Sequence, residues 1–301
     1  MGFFDRIFGR KSRTARRWPA DAGQGTDNPG LVVLLDAPPV LDAAAAGRAL
    51  NSIEPCRGDP KFTSRLIDED GPSERQVVYG TFQFDGHVVD VIGLDSPVPA
   101  AILEKTVGAS HWTGAGREAM EKHSAHYVLI HQGGGPSTLE RMIALYKLAA
   151  ALGGAHLAGV LHEAAWSCAP AAVVREFENP EFLRACRDQV PPILFTGFLK
   201  FLADDGTWFA TKGHHVFGVP DFVLLGTEAD KPSDVLDLFM NVFLYVITAD
   251  RELQPGHTMQ IAEEIFLRFG EVPAGHIHRA ALMGAGRTLL ITRIRKEDIP
   301  G

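Results

Sequence analysis

The chain of 301 residues carries 29 Lys and Arg against 37 Asp and Glu, a formal net charge of −8, and 46% of its residues are hydrophobic. That length and apolar content can bury one large core or two of roughly 100–200 residues each, which excludes a disordered chain and a peptide-sized scaffold. Three cysteines exclude a disulfide framework that pairs every Cys within the chain, and charges interrupt each apolar run well before the ~18–20 residues that a membrane-spanning helix needs.

The charge is unevenly spread. Residues 1–17 hold six basic side chains and one acidic one, a net of +5, which leaves −13 on the remainder. On a helical projection Phe3, Phe4, Ile7 and Phe8 share one arc, while Arg6, Arg10, Arg13, Arg16 and Arg17 lie mostly opposite. Such a basic amphipathic pattern suits weak contact with an anionic membrane, at roughly 1 kcal/mol per basic residue. Gly2, Gly9 and the shortness of the apolar face favour the plainer reading, a solubilising tail. No apolar h-region follows the charges, so no signal peptide is expected. Arg6 stands where a myristoylation motif needs Ser or Thr. Residues 18–30, rich in Gly, Pro, Asp and Asn, read as a linker that completes a 1–30 tail segment.

Two α+β halves follow, over residues 31–165 and 166–301. In the first, residues 31–35 predict a buried strand, and Asp42 predicts the N-cap of an Ala-rich helix reaching about residue 51. Residues 54–75 read as a long loop. Gln76–Phe84 and His87–Leu94 flank Asp85 and Gly86, a dipeptide suited to a type I′ hairpin. Helical patterning over residues 100–122 is broken by glycines near 108–116, and residues 127–131 predict a strand. Gly133, Gly134, Gly135 and Pro136 turn into a helix opened by Ser137 and Glu140 at capping-box spacing. That helix runs to about residue 152, and residues 156–161 return as a strand. A Pro- and Glu-bearing segment, 165–191, joins the second half. There a hairpin over residues 193–203 and 207–211 turns at Asp204, Asp205 and Gly206. Residues 216–225 predict a third strand. Pro232 and Ser233 open the most apolar helix, with Val235, Leu236, Phe239, Val242, Phe243 and Val246 as its core stripe. Strands at 265–269 and 288–294 close the chain. The pattern predicts antiparallel or mixed sheets with helices packed on one face, in two related hairpin-plus-helix halves.

Several segments together carry a resemblance. His123, Ser124, Ala125 and His126 run into a strand ending at His131. Gly206, Thr207, Trp208, Phe209, Ala210, Thr211, Lys212 and Gly213 are followed by Phe217, Gly218, Val219, Pro220, Asp221 and Phe222, and later by Gly256, His257 and Thr258. The chain resembles the bacterial family called domain of unknown function 4261 over roughly residues 31–295, most closely from residue 193 onward. The family usually places an acidic residue two positions after the Pro; here Asp221 follows it directly and Phe222 takes the next place. The resemblance implies a fold class and no activity, substrate or cofactor.

Three residue groups are candidates for chemistry. His123, His126 and His131 offer imidazole nitrogens of the kind that hold zinc, although no Cys-x-x-Cys or His-Glu-x-x-His motif accompanies them. Gly133, Gly134, Gly135, Ser137 and Thr138, between a strand and a capped helix, have the form of an anion cradle. The same glycines serve equally as a tight turn. Thr211, Lys212 and His214, near Trp208, form the densest polar-aromatic patch of the second half. No Gly-x-Ser-x-Gly elbow is present, and Cys56, Cys168 and Cys186 read as reduced structural thiols. The −13 balance of the body disfavours nucleic acid. The sequence thus points to a cytoplasmic, non-catalytic interaction or regulatory protein with a protein partner and no expected cofactor, any weak contact with an anionic membrane being confined to residues 1–17. The alternative is an enzyme, or a metal- or small-ligand-binding protein, using the His123/His126/His131 group or the 133–138 loop.

Overall fold

The period-2 hairpin of residues 76–94 lies within a seven-stranded antiparallel sheet. The computed structural model describes residues 28–65, 76–135, 137–189, 191–249, 251–276 and 278–299; the amphipathic reading of residues 1–17 and most of the 18–30 linker lie outside them. Strands β1 (Gly30–Leu35), β2 (Lys61–Ser64), β3 (Gln76–Phe84), β4 (His87–Leu94), β5 (Ala125–Gly133), β6 (Leu157–His162) and β7 (Ser167–Pro170) pair in the order β2-β3-β4-β5-β1-β6-β7. Asp85 and Gly86 take φ of 51° and 79°, as a type I′ turn requires. The stretch read as a loop before this hairpin contains β2, a short and largely exposed edge strand whose polar residues hide its pattern.

Helices cover both faces of this sheet, a correction to the one-face expectation. The cause is legible in β1 and β6, which are apolar on both sides. Leu31, Val33 and Leu35 face the main core with α1 (Ala43–Ile53), whereas Leu34 packs with Val98, Val107, Met120 and Leu161 on the other face. That second face is covered by α2 (Ala100–Leu103), its wider continuation Glu104–Gly108, and α3 (Ala115–Glu121). The α1 N-cap is Asp42, whose carboxylate accepts the Ala45 N–H at 2.9 Å. Helix α4 (Thr138–Gly153) is opened by Ser137, whose hydroxyl accepts the Glu140 N–H at 3.3 Å. Glu140 does not close a capping box; its carboxylate accepts from Arg187 at 2.7 Å. Arg187 also binds Glu54, which the buried Lys147 reaches at 2.9 Å. These opposing charges hold the Glu54 carboxyl at about 2 against the desolvation that would raise it.

The first sheet extends past the expected boundary at 165, because β7 pairs with β6 at residues 167–170. Helices α5 (Ala171–Arg175) and α6 (Pro180–Gln189) then belong to the same layer, with Phe177 stacked on Tyr146 of α4 at 4.4 Å.

The second sheet comprises β8 (Gly197–Ala203), β9 (Gly206–Lys212), β10 (Asp221–Gly226), β11 (Thr258–Gln260), β12 (Ile265–Glu271) and β13 (Thr288–Arg295), in the order β11-β12-β13-β10-β9-β8. β10 and β13 run parallel and the other pairs antiparallel. The strand expected over 216–225 begins only at Asp221, because residues 214–217 form a 3-10 turn ended by Gly218 at φ 69°. Helix α7 (Pro232–Thr248) buries Val235, Phe239, Val242, Phe243 and Val246 against this sheet, with Phe239 6.0 Å from Phe222. α8 (Arg279–Leu282) lies against the opposite face through Leu282, which packs with Trp208, Ala210 and Val223. One apolar cluster runs through both sheets, from Leu31 to Ile291. The α+β class is therefore the observed one, with the two halves sharing a core.

Candidate functional site

Strand β9 ends in Thr211 and Lys212, and the turn to β10 returns the chain at Asp221. Lys212, Thr211, His214 and Asp221 are all 0% exposed. The Lys212 ammonium donates to the carbonyls of Ala281 (2.7 Å), Leu282 (2.9 Å) and Met283 (2.5 Å). Three donors thus meet three acceptors at the end of α8, which completes the hydrogen-bonding capacity of a lysine. The same ammonium sits 4.7 Å from the centroid of Trp166, which Lys105 also approaches at 4.4 Å. Burial lowers the Lys212 amine to about 8, against the pull of Asp221 and with help from Lys105.

Asp221 Oδ1 accepts the His214 N–H at 3.1 Å and the Thr211 hydroxyl at 3.3 Å, while Thr211 Oγ1 accepts the Phe222 N–H at 2.8 Å. Oδ2 meets no hydrogen-bond partner among the described residues. It lies so close to Gly284 that a Cβ there would sit 1.9 Å away. Burial raises the Asp221 carboxyl to about 7, opposed by the His214 N–H, Lys212 and Thr211. His214 places Nδ1 3.1 Å from the Pro220 carbonyl and packs between Phe222 and Phe243; burial lowers it to about 3. Shifted pKa values mark many catalytic sites, but they arise equally in closed ion-pair networks. Here the groups are sealed from solvent, with Thr211, His214 and Asp221 bound to one another and Lys212 bound to the carbonyls of residues 281–283. The cluster therefore acts as a latch that fastens residues 281–284 to β9 and β10.

The structure thus brings Thr211, Lys212 and His214 together, with Asp221 and Trp166 added. It does not bring His123, His126 and His131 together. His126 and His131 lie five positions apart on β5, which is about 17 Å along a strand. His123 Nε2 accepts the Val98 N–H at 2.8 Å and Nδ1 donates to the Met120 carbonyl at 2.7 Å, so both nitrogens are engaged. His126 Nδ1 donates to the Ser96 carbonyl at 2.7 Å. His131 Nδ1 accepts the Gly133 N–H, which leaves Nε2 to donate to His87 Nδ1 at 3.0 Å. Among the described residues no group of three His, Cys, Asp or Glu side chains is placed to hold a metal ion.

Gly133, Gly134 and Gly135 take φ of 125°, 79° and 77°. A Cβ at Gly134 would lie 1.9 Å from the Gly86 carbonyl oxygen, and one at Gly135 2.6 Å from the His87 ring. The turn is packed onto the β3–β4 hairpin, with Ser137 spent on the helix cap and Thr138 buried. Those contacts account for its glycines without a ligand.

An open concave surface lies elsewhere, along β11. Asp234, Asp237, Leu238, Asn241 and Tyr245 form a second stripe on α7, beside the core stripe, and face Gly256, Thr258, Met259 and Ile261 across a groove of about 1350 Å³. Tyr245 and Ile261 are 44% and 41% exposed. Neither Asp234 nor Asp237 is paired with a cation among the described residues, whereas Glu252 at the groove's end binds Arg287 at 3.1 Å. β11 is also a sheet edge. The His257 carbonyl accepts from Phe269 and the Ile261 N–H donates to Ile265, so alternation turns the backbone groups of Thr258 and Gln260 away from β12. Sequence patterning misses this groove because a three-residue strand is too short to show alternation. Asp234 and Asp237, which open the i, i+3, i+4, i+7 stripe continued by Leu238 and Asn241 on α7, are the signal that points to it.

Residues 210–280 match the family model described as Domain of unknown function (DUF4261). The chain is similar to that family over these 71 of its 301 residues. No curated protein and no solved structure matches the chain. The DUF4261 match contains Thr211, Lys212, His214 and Asp221 of the latch and the groove residues from Asp234 to Ile261, but not the carbonyls that Lys212 binds.

Proposed function

We propose that the protein is a non-catalytic interaction protein of the cytoplasm, whose second half takes up an extended, cationic peptide segment of a protein partner along β11. The groove between α7 and the β11 edge carries this reading. Outward backbone groups at Thr258 and Gln260 suit strand addition, in which main-chain hydrogen bonds supply affinity and alternate side chains supply selectivity. Leu238, Tyr245, Met259 and Ile261 give such a segment apolar contacts, and Asp234 and Asp237 select positive charge. The strongly shifted titratable groups of the second sheet, Lys212, Asp221 and His214, are closed to solvent, which supports a binding role over a catalytic one.

Fluorescence anisotropy on the full chain tests the reading with two labelled nine-residue probes, one alternating Val with Arg and one alternating Val with Glu. The Arg probe is expected to bind saturably and the Glu probe not. Asp234→Lys with Asp237→Lys should weaken the Arg probe at least tenfold. Equal binding of the Arg probe by the wild type and this variant overturns the proposal.

A further inference from the structure

We propose that residues 1–17 of this same chain are a ligand of the α7–β11 groove, so that the protein carries its own competitor for partner binding. The inference rests on the groove's being a peptide site. Two observations bring them together. The N-terminal segment concentrates six basic residues and one acidic residue in seventeen, in a chain whose remainder carries −13. The groove presents Asp234 and Asp237 without an ion-pair partner among the described residues, against one lining arginine, Arg251, and beside apolar Leu238, Tyr245, Met259 and Ile261, which leaves its lining acidic on balance.

The order of residues fits strand addition as well as the charge does. Laid out at period 2, Phe4, Arg6, Phe8 and Arg10 share one side, an alternation of aromatic and cationic groups. That is the composition which an apolar groove with an acidic wall selects. Ten residues separate Arg17 from Asn28, enough to span up to about 36 Å when extended. Within that reach the segment acts on its own chain, and beyond it on a second copy. Tethering raises its effective concentration to the order of millimolar, so even a weak contact competes with a free partner. Competition by residues 1–17 makes access to the groove sensitive to ionic strength, because the attraction is between exposed charges.

Amide hydrogen exchange on the full-length chain tests this. In the wild type, residues 256–261 are expected to exchange at least about tenfold more slowly than in a full-length Phe4→Glu/Phe8→Glu chain. A synthetic peptide of residues 1–17 added to that variant should restore the protection, and 0.5 M NaCl should remove it. Equal exchange in the two chains, with no change on adding 1 mM peptide, overturns the proposal. The Val/Arg probe separates the two readings: if it binds the Phe4→Glu/Phe8→Glu chain while the 1–17 peptide does not, the self-ligand falls and the peptide groove stands. If neither binds, both fall. Vesicles of phosphatidylserine and phosphatidylcholine provide the other arm. Sedimentation of the wild type but not the variant with these vesicles, together with equal groove exchange in both, makes lipid the target of residues 1–17 and overturns the proposal.

Discussion

Replacing Lys212 by Met tests whether the buried ammonium is the fastener that holds residues 281–284. Met fills nearly the same volume and donates nothing, so the carbonyls of Ala281, Leu282 and Met283 lose their common donor. Three acceptors left unpaired, that of Leu282 buried and those of Ala281 and Met283 half-buried, cost about 2 kcal/mol each, within the range of about 1–3 for such groups. Removing the charge also relieves its desolvation. The fall of the amine from 10.5 to about 8 corresponds to about 3.4 kcal/mol. The balance is a net loss of about 3 kcal/mol, a large share of the about 5–15 kcal/mol by which a domain is stable. Urea unfolding followed by circular dichroism measures it, and limited proteolysis should show earliest cleavage near residues 279–285. A midpoint shift equivalent to less than about 1 kcal/mol, with unchanged cleavage, refutes the latch.

Three further outcomes follow from the geometry. Asp221 has a folded pKa of about 7 against 3.8, so the stability it contributes is complete below pH 3.8 and is lost as pH rises through 7. Asp221→Asn, which keeps an acceptor for the His214 N–H, should therefore gain stability relative to wild type between pH 5 and 8, by about 2–4 kcal/mol at the upper end; parallel stability curves for the two proteins would contradict this. Glu54 is the opposite case, with a folded pKa of about 2 against 4.5: its contribution is complete above pH 4.5 and is lost as pH falls through 2. Glu54→Gln should cost about 1–2 kcal/mol at pH 7, discounted for partial exposure, and the penalty should shrink by pH 3, as chemical denaturation at the two pH values would show. Gly134→Ala forces a Cβ onto the Gly86 carbonyl at φ 79°, whereas Gly133→Ala meets nothing within 4 Å. The first should lower the melting temperature more than the second; a reversed order in differential scanning fluorimetry would remove the packing explanation for the glycine turn.

How far sequence reaches into this fold depends on how locally each element is determined. The hairpin Gln76–Phe84 and His87–Leu94 is legible to the residue, because alternation and a turn dipeptide specify it within nineteen positions. The same is true of the Asp42 and Ser137 caps and of the Pro232 start of α7. β2, β7 and β11 are not legible: each has three or four residues and exists through pairing with a neighbour distant or different in character. The polar patch at Thr211, Lys212 and His214 is visible as composition. Its meaning is not, since the ammonium's partners lie some seventy positions away, on backbone carbonyls that carry no side-chain signature. The histidines mislead for the same reason: nearness in sequence on a strand separates His126 from His131 in space.

The match to residues 210–280 is shorter than the unit that this structure requires. β13 lies between β12 and β10 in the sheet, and it begins at Thr288. A chain ending at residue 280 loses that strand, and with it every ladder hydrogen bond that ties β11 and β12 to the rest of the sheet. It also loses all three acceptors of Lys212, and Gly284, against which Asp221 is packed. At the other end the match begins within β9, so β8 is missing and β9 becomes a bare edge. Residues 210–280 expressed alone should therefore lack a cooperative thermal transition, whereas the full chain should show one. A sigmoidal unfolding curve from the 71-residue piece, with near-ultraviolet circular dichroism typical of fixed aromatic packing, would refute the dependence on β13 and on the carbonyls of Ala281, Leu282 and Met283. The latch and the groove would then have to be independent, and the acidic stripe on α7 would have to keep its place without the strand that joins β11 to β10.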